Sequence, residues 1–311
     1  MAFPQELITS VISEIDDVPT LRSCALASTR TLEPSQRRLF ITVVLAARNL
    51  RRFRDTPHLP TYTKVLVIKS HRRWTYNDYY GDDDVGKALS QFTDVHTCTL
   101  DLNSGSYGWP HVKEPIQSHI LSCFQRQPAL KEIHILSGTW FPLSAGMEMA
   151  RTARRVSFTL ASLKADNKLP EAQNPDYEVP TPSAIALQDE ITSDTLAWLG
   201  RSGFLRRTQH LSIILTPSDN SPPSISRFFE YTPSNLQRLS LLIPDLKSFN
   251  NIAPAALPLP DLPHLQYLEF TTQPPAHEWV LRTIAALLQH NLSSPPSAGS
   301  RIRGSTASRG S

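Results

Sequence analysis

A short apolar motif recurs along most of this chain and limits what it can fold into. Two apolar residues stand at i and i+2, flanked by polar ones, after a loop. The pairs are Leu66/Ile68, Leu100/Leu102, Ile133/Ile135, Val156/Phe158, Ile185/Leu187, Leu211/Ile213, Leu239/Leu241 and Leu268/Phe270. Period-two alternation marks each as a short strand with one inward face. Successive first members are 34, 33, 23, 29, 26, 28 and 29 residues apart. A chain that repeats one strand at such intervals builds its sheet one unit at a time.

The clearest copies are Leu130-Lys131-Glu132-Ile133-His134-Ile135, Leu236-Gln237-Arg238-Leu239-Ser240-Leu241 and Leu265-Gln266-Tyr267-Leu268-Glu269-Phe270. Their Leu-x-x-Leu-x-Leu spacing, at intervals in or near roughly 20–29 residues, is that of leucine-rich repeats. Helical stretches lie between the strands. Ile116–Phe124 is one. Asp194–Leu199 is another, with Asp194 placed to cap it and Gly200 or Gly203 to stop it. Ser226–Tyr231 is a third, and Trp279–Leu288 could close the series. The 26 prolines also favour many short elements over a few long helices. The expected fold class is therefore α/β repeat: a leucine-rich-repeat-like solenoid with a curved parallel sheet over residues 46–292. A generic α/β sheet would give the same alternation of elements; the recurring interval and spacing favour the solenoid.

Three regions break the pattern. His71 to Asp84 is charged and rich in aromatic residues. Its Trp74, Tyr76, Tyr79 and Tyr80 have the composition of an interface hot spot and are the expected substrate contacts. The alternative is that these rings pack over the end of the solenoid. Within the same segment, Asp82-Asp83-Asp84 reads as a solvated acidic loop, because consecutive carboxylates do not converge on one ion. Lys168 to Pro182 holds four prolines and reads as an insertion. Residues 293–311 are dominated by serine, glycine and arginine and read as a disordered tail.

The first 45 residues differ from the rest. Phe3 to Ile15 reads as an amphipathic helix, with Pro4 suited to the first turn and Glu6 near the positive end of the dipole. Leu7, Ile8, Val11, Ile12 and Ile15 fall on one stripe. A second helix is expected over Thr20–Ser28 and a third from Pro34 to Phe40. A strand should follow at Ile41–Leu45. Such short helices are marginal alone. Each stripe residue could contribute about 1.5–3 kcal/mol if fully buried. Three short helices cannot bury them all among themselves, so part of the stripe is left for another surface.

Phe3-Pro4-Gln5-Glu6-Leu7-Ile8-Thr9-Ser10-Val11-Ile12-Ser13-Glu14-Ile15 resembles the Leu-Pro-x-Glu-Leu-Leu-x-x-Ile-Leu-x-x-Leu opening of F-box modules. Leu21, Arg22, Leu26 and Ser28 match the family's second helix, while Thr31 stands where the family has tryptophan. Arg38-Leu39-Phe40 resembles its Arg-x-Leu-Phe ending. The similarity covers about forty residues and is to F-box proteins of the kind abundant in mushroom-forming fungi. It implies a three-helix F-box-like module over residues 1–45 that docks the Skp adaptor of a cullin-RING ubiquitin ligase. Carried over by position, the adaptor contacts are Phe3, Pro4, Leu7, Ile8, Val11, Leu21 and Leu26.

Charge and motifs narrow the remaining classes. Net charge is +3, and Arg301, Arg303 and Arg309 carry all of it; the rest of the chain has 28 basic and 28 acidic residues. A formally neutral body argues against nucleic-acid binding. Cys24, Cys98 and Cys123 lack metal-ligand spacing and read as reduced thiols of an intracellular protein, in cytoplasm or nucleus. The N-terminus does not read as a signal peptide, and no apolar run approaches the ~20 residues of a membrane span. No phosphate loop, nucleophile elbow or His-Glu-x-x-His motif occurs. His134 and His210 fall within expected strands, as packed or surface residues. The expectation is a non-enzymatic chain with no cofactor. It serves as substrate receptor of a Skp–cullin–F-box ligase and holds an unknown protein substrate on its repeats. The alternative is a protein-binding repeat scaffold whose N-terminal helices only cap the solenoid.

Overall fold

The structure is a computed structural model. It describes residues 3–70, 82–102, 108–137, 140–159, 162–164, 182–188, 195, 198–199, 203–214, 235–243, 262–272 and 285. Among these, the helices are α1 (Gln5–Ser13), α2 (Val18–Ala27), α3 (Thr29–Leu39), α4 (Leu50–Asp55), α5 (Asp82–Ser90), α6 (Glu114–Gln125) and α7 (Leu143–Ala150). The strands are β1 (Thr42–Leu45), β2 (Val65–Lys69), β3 (Thr97–Asp101), β4 (Glu132–Leu136), β5 (Trp140–Pro142), β6 (Arg155–Thr159), β7 (Ser162–Lys164), β8 (Ala184–Gln188), β9 (His210–Ile214), β10 (Arg238–Ile243) and β11 (Tyr267–Thr272).

The main sheet is parallel, with nine described strands in the order β1-β2-β3-β4-β6-β8-β9-β10-β11; β5 and β7 pair separately. Parallel neighbours require crossovers, and α4, α5, α6 and α7 lie in the first four. The chain forms two compact units. The first holds residues 1–107 and 111–133, the second 108–110 and 134–311, so the division falls inside β4.

The strands are entered in one repeated way. The carbonyl of Ile41 accepts both Lys64 and Val65 N–H, that of Lys64 accepts His96 and Thr97, and that of His96 accepts Lys131 and Glu132. In the second unit, Arg154 accepts Ser183 and Ala184, Ser183 accepts Gln209 and His210, and Gln209 accepts Gln237 and Arg238. Each turn into a strand thus satisfies two donors before the ladder begins.

The expected inward pairs at Leu66/Ile68, Ile133/Ile135, Val156/Phe158, Ile185/Leu187, Leu211/Ile213 and Leu239/Leu241 are buried. Leu268/Phe270 is in register with Leu239/Leu241 but half-buried. One pair needs correction. Leu66 and Ile68 stand beside Cys98 and Leu100, so the third strand's inward pair is Cys98/Leu100 and not Leu100/Leu102. Leu102 is buried just beyond the strand end. A cysteine in the first position hid the register, because a buried thiol packs as a small apolar group.

Other differences concern helices. Asp82–Asp84 opens α5 instead of forming a loop, where acidic residues suit the positive helix end; Asp84 also meets Arg54 at 2.9 Å. Short α4 and α7, and the β5/β7 pair, were not expected. The helix at Ile116–Phe124 is present as α6. Thr195, Trp198 and Leu199 are helical, and Gly203 follows with φ +77°, a conformation that suits glycine. Ser226–Tyr231 and the tail at 293–311 lie outside the described residues. So do all of the Lys168–Pro182 segment but Pro182, and all of Trp279–Leu288 but the helical Ala285.

Two aromatic clusters anchor the cores. In the first unit Phe53 meets Phe40 at 6.2 Å and Phe92 at 5.8 Å. Buried Gln127 donates to the Phe92 carbonyl at 2.6 Å and accepts from Val95 N–H at 3.1 Å, fixing the turn before β3. In the second unit Trp109, Phe141 and Phe158 stack in sequence at 5.4 and 6.4 Å. Gly146 on α7 lies against Phe158, where a Cβ would sit 2.9 Å from the ring.

Candidate functional site

The N-terminal helices form where caps and apolar stripes direct. Asp17 caps α2 by accepting Thr20 N–H at 2.8 Å, and Pro19 suits its first turn. Ser28 caps α3 by accepting Thr31 N–H at 3.3 Å. That cap starts α3 five residues before Pro34, so the expected start at Pro34 is corrected: the proline lies inside the helix. A proline there removes the bond to the carbonyl four residues back, which is Arg30. The Gln5 side chain fills that gap, donating to Arg30 O at 2.8 Å. Arg30 in turn donates to the Phe3 carbonyl. The proline defect thus becomes a tie between α1 and α3.

Thr31, in the place of the family's tryptophan, makes a different tie. Its hydroxyl donates to Cys24 O at 2.5 Å and links α3 to α2. Arg38 meets Asp16 at 2.6 Å, fastening the α1–α2 connection to the end of α3.

These ties bury one side of each helix. On α1, Ile12 is buried and Ile8 half-buried, and Ile15 just beyond its end is half-buried. On α2, Leu21 is buried at 3% exposure. Of the expected adaptor contacts, Leu21 is the buried one. The others remain at the surface. Phe3 is 68% exposed, Leu7 50%, Val11 63% and Leu26 89%; Pro4 is exposed and Ile8 partly so. Leu7 and Val11, four residues apart, share one face of α1, and Phe3 precedes that helix. Val18 and Leu32 are also exposed.

A cavity of ≈ 460 Å³ opens between α2, α3 and α4. It is lined by Val18, Ala25, Leu26, Leu32, Leu39 and Phe40, with Arg22, Gln36 and Arg52 at its polar points. Arg52 lies 5.3 Å over the Phe40 ring. The expected substrate contacts Trp74, Tyr76, Tyr79 and Tyr80 lie outside the described residues.

The sheet carries a second feature, on the side chains that alternate with the buried pairs. Register aligns Ser157, Ala186, Ser212, Ser240 and Glu269 in one row and Arg155, Ala184, His210, Arg238 and Tyr267 in the next. His134 Nδ1 lies 2.6 Å from Ser157 Oγ. Sequence spacing did not pair these two residues, because the contact is between strands and not along them. Ser240 donates to Glu269 at 2.9 Å, and Arg238 stacks 4.2 Å over Tyr267. These rows were readable in the motif itself. The residues just before and between the buried pair must face the other way.

Reactive groups are otherwise quiet. Burial raises the Cys98 thiol well above its ordinary pKa and pushes Cys123 up to about 11, which keeps both protonated and unreactive. Cys24 is half-buried. Among the described residues no three His, Cys, Asp or Glu side chains group as metal ligands, and no helix is long and apolar enough to cross a membrane. A scan against protein-family models finds no match for this chain, and a search of curated proteins finds none either.

Proposed function

We propose that this chain is a non-catalytic receptor subunit of a Skp–cullin–F-box ubiquitin ligase. Its N-terminal helices dock the Skp adaptor and a leucine-rich-repeat-like sheet holds a protein substrate. One observation carries the reading: Leu7 and Val11 line one face of α1, Phe3 stands just before it, and all three stay at least half exposed beside a folded helix. Contiguous apolar surface of this kind marks an interaction site. Burying three such side chains could contribute about 1.5–3 kcal/mol each. The resemblance of Phe3-Pro4-Gln5-Glu6-Leu7 to the Leu-Pro-x-Glu-Leu opening of F-box modules supports the Skp adaptor as the partner. In-order parallel strands, most of them entered through the same paired hydrogen bonds, support the repeat reading. The chain would act by raising the concentration of bound substrate near the ligase.

The test is capture of purified Skp adaptor by the full chain. Wild type should form a complex, and Leu7→Asp with Val11→Asp should abolish it while leaving the unfolding midpoint unchanged. A folded wild type that captures no adaptor refutes the ligase role. A double variant that unfolds the whole chain favours helices that cap the repeats.

A further inference from the structure

Two helices of the first unit turn the same positions toward one cavity. On α2 they are Val18, Arg22, Ala25 and Leu26; on α3 and its cap they are Leu32, Gln36, Leu39 and Phe40. Each set runs i, i+4, i+7 and i+8, which is one face of a helix. Each sets apolar residues around a single polar one, and Arg52 of α4 completes the lining. Val18, Leu26 and Leu32 stay exposed there.

The charge at this cavity is one-sided, because no acidic residue lines it. Four carboxylates occur in residues 16–55, and each is engaged elsewhere. Asp16 pairs with Arg38, Glu33 with Arg37 and Asp55 with Arg54, while Asp17 accepts Thr20 N–H. Among the described residues no carboxylate pairs with Arg22 or Arg52. Arg52 stacks 5.3 Å over the Phe40 ring. Stacking uses the face of a guanidinium and leaves its N–H edge to meet an anion.

We propose that this cavity binds a small amphipathic carboxylic acid, with its apolar chain among the aliphatic and aromatic residues and its carboxylate on Arg22 and Arg52. The volume of ≈ 460 Å³ falls in the range of small-ligand sites, roughly 300–1,000 Å³. Nine residues line it, whereas each side of a stable protein interface supplies about 20–30. The cavity therefore suits a small ligand better than a protein face. Guanidinium groups hold carboxylates through parallel hydrogen bonds, and the Gln36 amide offers a further donor. A neutral or cationic head would leave both arginines without a counter-charge. The inference goes beyond the receptor reading and does not rest on it.

The experiment titrates the full chain with dodecanoate, kept below its micelle threshold, in a calorimeter. Dodecanoate should bind at a single site. Shortening the acid toward hexanoate should weaken binding by up to about fourfold per methylene removed. Dodecyltrimethylammonium has the same chain and the opposite charge, and should bind at least about tenfold more weakly. Arg22→Gln with Arg52→Gln should weaken dodecanoate by a similar factor without weakening the cation. Arg22→Gln alone, at an exposed position, gives the same direction if the double variant loses its fold. Ala25→Phe, which fills the cavity, should abolish binding. Leu7→Asp with Val11→Asp should change nothing, since neither residue lines the cavity, so this inference and the receptor reading fail separately. Folded wild type that binds no dodecanoate, equal binding of the cation, a flat dependence on chain length, or unchanged binding by the arginine variants overturns the proposal. If dodecanoate does not bind and Ala25→Phe instead abolishes adaptor capture or a dimer of this chain, the cavity belongs to a protein and the proposal falls.

Discussion

In strands β1 to β3, Val43, Leu45, Leu66, Ile68, Cys98 and Leu100 are all buried. In α1 and α2, Leu7, Val11 and Leu26 are at least half exposed, although α2 is capped and both helices are tied to α3. Both sets lie in the same compact unit, so the difference is not one of folded against unfolded chain. A strand in a parallel sheet is covered by its own crossover helix, and its inward residues have partners within the chain. The N-terminal helices pack mainly on one another, with Phe40 at the end of α3 meeting Phe53 and Arg52 of α4, and Leu7, Val11 and Leu26 are left uncovered. Apolar side chains therefore stabilise the fold in one region and remain exposed in the other.

Truncation separates the two roles with the largest expected effect. Leu66→Ala should destabilise the chain by about 2–5 kcal/mol in denaturant unfolding. Leu7→Ala should stay within about 0.5 kcal/mol yet weaken adaptor capture. Equal destabilisation would erase the distinction between the regions.

Overpacking gives the next effect. Gly146→Ala should gain about 1 kcal/mol of helix propensity. It should lose more, about 1–3 kcal/mol, to the clash with the buried Phe158 ring. Net stabilisation in calorimetry would mean that the second core yields more easily than its burial implies.

The tie between α1 and α3 is weaker. Gln5→Ala leaves the Arg30 carbonyl to water and should cost about 0.5–1.5 kcal/mol. Amide exchange should rise in α1 and not in the strands.

Acid gives the smallest effect. Bonds from Thr20 hold Asp17 below the usual carboxylate range, and bonds from Arg54 and Lys64 do the same for Asp55 and Asp94. A depressed carboxylate pKa stabilises the fold above the unfolded value and loses that contribution as pH falls through the folded one. Unfolding midpoints should hold steady above pH ~4 and decline below it, and D94N should flatten the decline.

Much of the sheet was legible because a buried pair at i and i+2 is a one-dimensional signal. It failed where Cys98 replaced an aliphatic residue, and at α4 and α7, which are too short for helical periodicity to show. Pro34 misled because a proline usually opens a helix; Ser28 opened it earlier, and a distant glutamine served the freed carbonyl. The exposed face of α1 was readable as a stripe, but Leu21 shares its apolar character and only packing assigns it to the interior. The Arg155–His210–Arg238 row becomes visible only when strands thirty or so residues apart are set in register.

Hydrogen exchange on the full chain, with and without purified Skp adaptor, measures directly whether the N-terminal apolar face exists for a partner. The account predicts new protection across α1 and α2 and at the helix ends lining their cavity, with β1 to β3 unchanged because they are already covered. Protection confined to the strands, or no change anywhere at saturating adaptor, would contradict it.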